Sequence, residues 1–112
     1  MCLFCKIVSK EIPADIVYEN DKVVAFKDIN PQTLVHVLIV PKEHVKNIGE
    51  ITKENLHILG DIHLAANEVA KKMGIFEDGY RLITNCGENA GQTVMHLHYH
   101  LMGGEKLSEK II

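Results

Sequence analysis

Apolar residues along the chain follow two spacings, which separate one long helix from several short strands. Between residues 52 and 73 the apolar side chains recur every three or four positions, at Leu56, Leu59, Ile62, Ala66, Val69 and Met73. This is the period of an amphipathic helix. Thr52 can cap its start, and Lys71, Lys72 and Gly74 are typical of a helix end. The pattern therefore predicts a helix over residues 52–73 with one face in a core.

The other apolar stretches are short, and most are rich in β-branched and aromatic residues, as strands are. Strands are predicted at residues 16–18, 22–27, 34–40, 80–85 and 94–102, and a short helix is predicted at residues 3–9. The stretch 34–40 is apolar on both faces, as in the centre of a sheet. An order of strands with one long helix inserted predicts an α+β fold, in which a helix packs on an antiparallel sheet.

Composition narrows the class of protein. A chain of 112 residues with 46% hydrophobic content predicts a single domain over residues 1–112. The net charge of −3 argues against duplex nucleic acid as a partner. No apolar run approaches the ~20 residues of a membrane helix, and the N-terminus does not read as a secretory signal. An odd number of cysteines argues against a disulfide framework, so a cytoplasmic location is expected.

Three of the seven histidines alternate with apolar residues near the C-terminus, in the segment VMHLHYHLM at residues 94–102. Successive side chains of a strand point to opposite faces. His96, His98 and His100 are therefore predicted to line one face. The apolar residues between them, Met95, Leu97, Tyr99 and Leu101, are predicted to line the other face and enter the core.

Three interpretations of these histidines remain open from the residues alone. They could be a solvated face, the ligands of a catalytic zinc, or a nucleophile with helpers. A glycine-bearing loop, residues 87–91, precedes them, and its backbone N–H groups could converge on phosphate oxygens. Strict alternation would place Thr93 on the face opposite His98. Thr93 can join the site only if the chain bends near Gly91 or Gln92.

The segment GQTVMHLHYHLMGG, residues 91–104, resembles the signature of the histidine-triad (HIT) family. The resemblance is closest to the nucleoside phosphoramidase (Hint) branch, and it covers nearly the whole chain. Matching segments occur at residues 4–7, 11–14, 25–32, 36–44 and 79–81. The resemblance implies a five-stranded antiparallel sheet with one long helix and a short N-terminal helix. It also implies a homodimer.

The resemblance assigns roles to individual residues. His98 would be the nucleophile, His100 would contact the phosphate, and the backbone carbonyl of His96 would hold the ring of His98. His36 would belong to the same network, and Thr93 would contact the phosphate or the leaving group. The other implied substrate contacts are Asn85, Gly91 and Gln92 near the phosphate, Asp28 at the ribose, and Phe4, Ile7, Phe26 and Ile29 around the purine.

Cys2 and Cys5 form a C-x-x-C pair that no thioredoxin-like βαβ pattern surrounds. Several bacterial HIT proteins combine such a pair with two histidines, which here are His44 and His96. The resemblance therefore implies a structural Zn²⁺ held by two thiolates and two imidazoles. No catalytic cofactor is expected.

The expected activity is cleavage of a nucleoside monophosphate from its leaving group. A neutral imidazole, His98, would attack the α-phosphorus of a purine nucleoside phosphoramidate and form a nucleotidyl-histidine intermediate. Three alternatives remain: a dinucleoside polyphosphate hydrolase, a non-catalytic nucleotide-binding scaffold, and a zinc hydrolase that uses the three histidines as ligands. The last would lose its activity on chelation.

Overall fold

A five-stranded antiparallel sheet organises the computed structural model, which describes residues 2–112. The helices are α1 (Leu3–Val8) and α2 (His57–Lys72), and the strands are β1 (Ile16–Glu19), β2 (Val23–Lys27), β3 (Val35–Pro41), β4 (Tyr80–Ile83) and β5 (Tyr99–Gly103). The strand order is β1-β2-β3-β5-β4, and every neighbouring pair is antiparallel. The predicted α+β fold, with one long and one short helix, is confirmed.

The two faces of the sheet are covered differently. Val37 and Ile39 of the central strand β3 pack into the core beneath α2, and both are fully buried. Leu38, the intervening residue, faces the opposite side, where Phe4 of α1 packs against Phe26 of β2. Because α1 is only six residues long, it covers only part of this second face. The uncovered part holds the cavity described below.

Helix α2 begins later than its apolar period predicts. Residues 53–56 form a turn, and the α-helix starts at His57. The side chain of Asn55 accepts a hydrogen bond from the backbone N–H of Thr52 at 2.6 Å, and the Thr52 hydroxyl accepts one from Glu54 N–H at 3.3 Å. Such local bonds compete with the helical ladder. The prediction that Thr52 caps α2 was therefore wrong.

Strand β5 also begins later than predicted, at Tyr99 and not near Val94. The chain bends over residues 94–96. Two contacts hold this bent stretch: Leu97 N–H donates to the carbonyl of Val45 at 2.7 Å, and the Gln92 amide donates to the carbonyl of Val94 at 3.1 Å. Met95 is consequently 40% exposed, so its predicted place in the core was wrong.

Among residues 2–112, neither helix has the length and apolar character needed to cross a membrane.

Candidate active site and metal centre

A cavity of about 650 Å³ opens on the face of the sheet that carries α1. It brings together eight of the residues that the sequence predicts for the substrate site: Phe4, Ile7, Phe26, Asp28, Ile29, Thr93, His98 and His100. One part of the lining is apolar and the other carries imidazole, hydroxyl and carboxylate groups. This combination suits a ligand with an aromatic base at one end and a phosphate at the other.

The ring of His98 is fixed in one tautomer by its hydrogen bond. Its Nδ1 lies 2.8 Å from the backbone oxygen of His96, and a carbonyl oxygen can only accept. Nδ1 therefore carries the proton and donates it. Nε2 of the neutral ring keeps its lone pair, as a nucleophile requires.

His36 and His100 form a second oriented pair. The backbone N–H of Gln32 donates to His36 Nδ1 at 3.0 Å, so the proton of the neutral His36 ring lies on Nε2. His36 Nε2 is 2.8 Å from His100 Nδ1 and donates to it. The proton of the neutral His100 ring then lies on its Nε2, where it can be donated to a ligand. Asp28 lies beside the pair, its Oδ2 being 3.4 Å from His36 Nε2.

The environment of His100 keeps its ring neutral. The pKa of His100 is lowered to about 4, mainly by burial and then by the neighbouring His98 and His36 rings, and the Asp28 carboxylate opposes this shift only in part. Near pH 7 the ring is therefore an uncharged donor at Nε2.

We expect the lowered pKa of His100 to make the fold less stable in acid. In the unfolded chain this histidine takes up a proton near its ordinary pKa of about 6.5, whereas in the folded chain it does so only near 4. The neutral ring therefore contributes fully to the free energy of unfolding above pH 6.5, and this contribution is lost as the pH falls towards 4. Urea unfolding at several pH values gives the slope of the free energy of unfolding against pH. Between pH 6.5 and 4, His100→Asn should lower this slope by up to about 1.4 kcal/mol per pH unit. Equal slopes in the two proteins would contradict this account.

The bend over residues 94–96 places Thr93 in the same cavity as His98 and His100. The conflict between Thr93 and strict strand alternation is thereby resolved. Asn85, Gly91 and Gln92 do not line this cavity. Their predicted contacts with a phosphate or leaving group stay predictions.

Gln92 is buried, and its amide is fully used within the protein. Its Nε2 donates to the carbonyls of Lys46 (2.7 Å) and Val94 (3.1 Å), and its Oε1 accepts from the Asn47 side chain (3.1 Å) and from Gly87 N–H (2.9 Å). The side chain thus joins the glycine-bearing loop to the bend that precedes the histidines.

Gln92→Leu should lower the free energy of unfolding by ~2–4 kcal/mol, because it removes one hydrogen bond from each of these four partners. Thermal and urea unfolding would measure the change. Gln32→Leu provides a matched control, since Gln32 is exposed and, among residues 2–112, its side chain bonds only to the carbonyl of Asn30. An equal loss in the two variants would rule out the bracing role of Gln92.

Cys2, Cys5, His44 and His96 form a second cluster, whose ligand atoms all lie within 4.8 Å of one another. The four distances from a sulfur to a ring nitrogen are 3.2–3.6 Å, and the two Nδ1 atoms are 3.0 Å apart. Tetrahedral Zn–S bonds of ~2.3 Å and Zn–N bonds of ~2.0 Å would separate sulfur from nitrogen by about 3.5 Å. The residues present therefore fit a tetrahedral metal ion.

Hydrogen bonds orient the donors of this cluster. His96 Nε2 donates to the backbone carbonyl of Pro41 at 2.9 Å, so the lone pair of Nδ1 faces the two sulfurs. The Cys5 N–H donates to Cys2 Sγ at 3.2 Å. Burial, followed by the hydrogen bond from Cys2, raises the pKa of the Cys5 thiol, so a metal that binds here must displace its proton.

Comparison with known proteins supplies the family. The HIT domain profile matches residues 9–107. A HIT family hydrolase from Clostridium thermocellum is 60% identical, with a TM-score of 0.97 over 99% of this chain and 96% of that one. The purine nucleoside phosphoramidase of Escherichia coli K12 is 45% identical over 94% of this chain and 88% of its own length. The chain belongs to the HIT family. A histidine triad protein from Clostridium difficile has a TM-score of 0.94 and 45% identity, with 97% and 95% of the two chains covered.

The predicted membership of the HIT family is confirmed, and the relatives agree with the prediction of a hydrolase. Two contacts of His96 and His98 were not predicted from the sequence. The Thr84 hydroxyl donates to the backbone carbonyl of His98 at 2.8 Å, and the carbonyl of Pro41 orients the ring of His96. Both contacts use a backbone oxygen, which every residue has, so no sequence signal marks them.

Proposed function

We propose that this HIT protein hydrolyses purine nucleoside 5′-phosphoramidates through a nucleotidyl intermediate on His98. The observation that carries the proposal is the donation from His98 Nδ1 to the His96 carbonyl, which leaves the Nε2 lone pair available beside the cavity. The name of the Escherichia coli relative supports the same class of substrate.

The cavity suggests where each part of the substrate lies. The purine would pack between the apolar side chains of Phe4, Ile7 and Phe26, with Ile29 at the rim. Asp28 would accept hydrogen bonds from the ribose hydroxyls. This contact is tested by measuring the affinities of AMP and 2′-deoxy-AMP for the wild type and for Asp28→Asn. Loss of the 2′-hydroxyl should weaken binding more in the wild type than in Asp28→Asn. An equal loss of affinity in the two proteins would contradict the contact.

The reaction has two steps. His98 Nε2 forms a bond to the α-phosphorus as the P–N bond breaks, and the departing amine takes a proton from the solvent, relayed through the Thr93 hydroxyl. The neutral His100 ring keeps its proton and donates a hydrogen bond from Nε2 to a phosphate oxygen. Water then attacks the phosphorus, the N–P bond to His98 breaks, and the proton of the water returns to the solvent. Residues 87–91 do not line the cavity, and the N–H groups of Gly87, Ala90 and Gly91 donate within the protein, so the hydrogen bond from His100 Nε2 is the contact that would stabilise negative charge on the phosphate oxygens.

Intact mass spectrometry after mixing with adenosine 5′-phosphoramidate tests the intermediate. An adduct with the mass of a nucleotidyl group should form and should be absent from His98→Ala. Hydrolysis of a dinucleoside polyphosphate at a higher kcat/KM than the phosphoramidate would favour the other hydrolase class. Binding of AMP with no turnover of either substrate would favour a non-catalytic scaffold.

We further propose that Cys2, Cys5, His44 and His96 hold Zn²⁺ as a structural ion. The ion would bind two thiolates and two neutral imidazoles and thereby fix the N-terminal segment to the sheet. Metal analysis of the purified protein should give one zinc per chain, and Cys5→Ser should reduce this number. Unchanged zinc content in that variant would contradict the assignment.

We propose that the protein forms a homodimer through the outer surface of α2 and the free edge of the sheet. Leu56 and Leu64 are 55% and 68% exposed, and β4 is an edge strand. We expect light scattering to show a dimer, and we expect Leu64→Glu to shift it to a monomer because it places a charge within the apolar surface. Leu34→Glu is the matched control, since Leu34 is 79% exposed but lies outside α2 and β4. A monomeric wild type, or a dimeric Leu64→Glu, would exclude this interface.

A further inference from the structure

The short helix α1 belongs to both the metal centre and the nucleotide cavity. Its six residues include Cys5, and Cys2 caps its N-terminus. Phe4 and Ile7 of the same helix line the cavity. A helix of this length does not persist by its own hydrogen bonds, because helix nucleation is costly and few bonds follow it. Its position must therefore be held by tertiary contacts.

Phe4 of α1 packs against the candidate nucleophile, His98. Its ring is 5% exposed and packs edge-on against the ring of His98, with 5.0 Å between centroids and 80° between planes. It also packs edge-on against His96 at 6.1 Å and against Phe26 at 5.7 Å. One aromatic side chain therefore contacts the candidate nucleophile and forms a wall of the base pocket.

His96 makes a second connection between the two sites. Its ring Nδ1 belongs to the metal cluster, while its backbone oxygen accepts the hydrogen bond that sets the tautomer of His98. The side chain is fully buried, and its Nε2 is held by Pro41. Displacement of the His96 ring would therefore also disturb the carbonyl that orients His98.

We propose that Phe4 is a positioning residue through which a metal ion on Cys2, Cys5, His44 and His96 strengthens nucleotide binding in the cavity. This inference rests on the proposed function. When the four ligands are bridged, α1 is fixed at Cys2 and Cys5, on either side of Phe4, and the ring stays against His98. Without the metal ion, α1 must become ordered when the nucleotide binds. The free energy needed to order it reduces the free energy of nucleotide binding.

The coupling must be reciprocal. If the metal strengthens nucleotide binding by some factor, the nucleotide strengthens metal binding by the same factor. Since the segment to be ordered is one short helix, we expect a factor of about ten.

Calorimetry with AMP tests the proposal on the full chain, loaded with one Zn²⁺ or stripped by a chelator. The dissociation constant of AMP should rise about tenfold on stripping, and the apparent dissociation constant of Zn²⁺ should fall by the same factor in saturating AMP. Equal AMP affinities in the two states would overturn the coupling while leaving the proposed function intact. Failure of both states to bind AMP would instead overturn the proposed function.

Two variants separate positioning by Phe4 from general weakening of the pocket. Phe4→Leu should weaken AMP binding and also reduce the effect of Zn²⁺ towards none. Ile29→Ala is the matched control: Ile29 lines the same cavity but lies on the loop after β2, so AMP binding should weaken while the tenfold effect of Zn²⁺ remains. A full Zn²⁺ effect in Phe4→Leu would overturn the assignment.

Amide hydrogen exchange supplies a readout that does not depend on ligand affinity. Stripping should abolish protection in α1, whereas the amides of β3 and β5 should exchange faster but stay protected by the folded sheet. Complete loss of protection in β3 and β5 would overturn the proposal, because the stripped chain would then be unfolded and the metal would not act through the position of Phe4.

Discussion

His98→Ala should lower kcat for adenosine 5′-phosphoramidate by about four orders of magnitude or more, because it removes the group that forms the bond to phosphorus. Binding of AMP should change little, since the apolar walls of the cavity and Asp28 remain. Steady-state kinetics and calorimetry measure the two quantities separately. His57→Ala is the matched control, because His57 lies at the start of α2 and does not line this cavity.

A drop of less than tenfold in kcat for His98→Ala would exclude a covalent role for this residue. Equal losses of kcat and of AMP affinity would point to a damaged pocket and not to a missing nucleophile.

Removal of the metal should lower the melting temperature by on the order of 15 °C or more. An ion present at a thousandfold excess over its dissociation constant stabilises the folded chain by about 4 kcal/mol, and each kcal/mol is worth about 4 °C or more in a domain of this size. Scanning calorimetry of the zinc-loaded protein, the stripped protein and Cys5→Ser measures the effect. Cys86→Ser should melt like the wild type, because the exposed Cys86 lies outside the metal cluster.

The same stripped protein tests a catalytic role for the metal. At saturating substrate its kcat should persist while it remains folded, because the proposed steps use His98, His100 and Thr93. Complete loss of kcat, with the fold intact and the substrate bound, would support a zinc hydrolase instead.

Periodicity predicted the strands and the long helix because each pattern reflects burial on one face of an element. It failed where specific contacts overrode that pattern. The Thr52–Asn55 turn delays the start of α2. The bond from Leu97 N–H to the Val45 carbonyl holds the segment before β5 out of the predicted strand. The first contact is a local bond that competes with the helical one, and the second involves a residue far away in the sequence. Neither contact alters the spacing of apolar residues, so periodicity does not reveal them.

The candidate site was predicted in part. Family resemblance predicted eight residues that line one cavity and four that form the metal cluster. It did not predict that Phe4 contacts His98, or that the amide of Gln92 is fully used within the protein. Such features depend on three-dimensional packing, which residue type and order alone do not specify.

The pair formed by His36 and His100 has a consequence for how the proposed enzyme resets after each turnover. The pair ends at a peptide group, Gln32 N–H, which holds its hydrogen permanently, so the two neutral rings have no proton to spare and His100 can only share its hydrogen with the phosphate. The proton that the departing amine takes must therefore enter from the solvent side. On this mechanism the attacking water balances each turnover: its oxygen ends on the released nucleotide, and its hydrogen restores to the solvent the proton that the amine took.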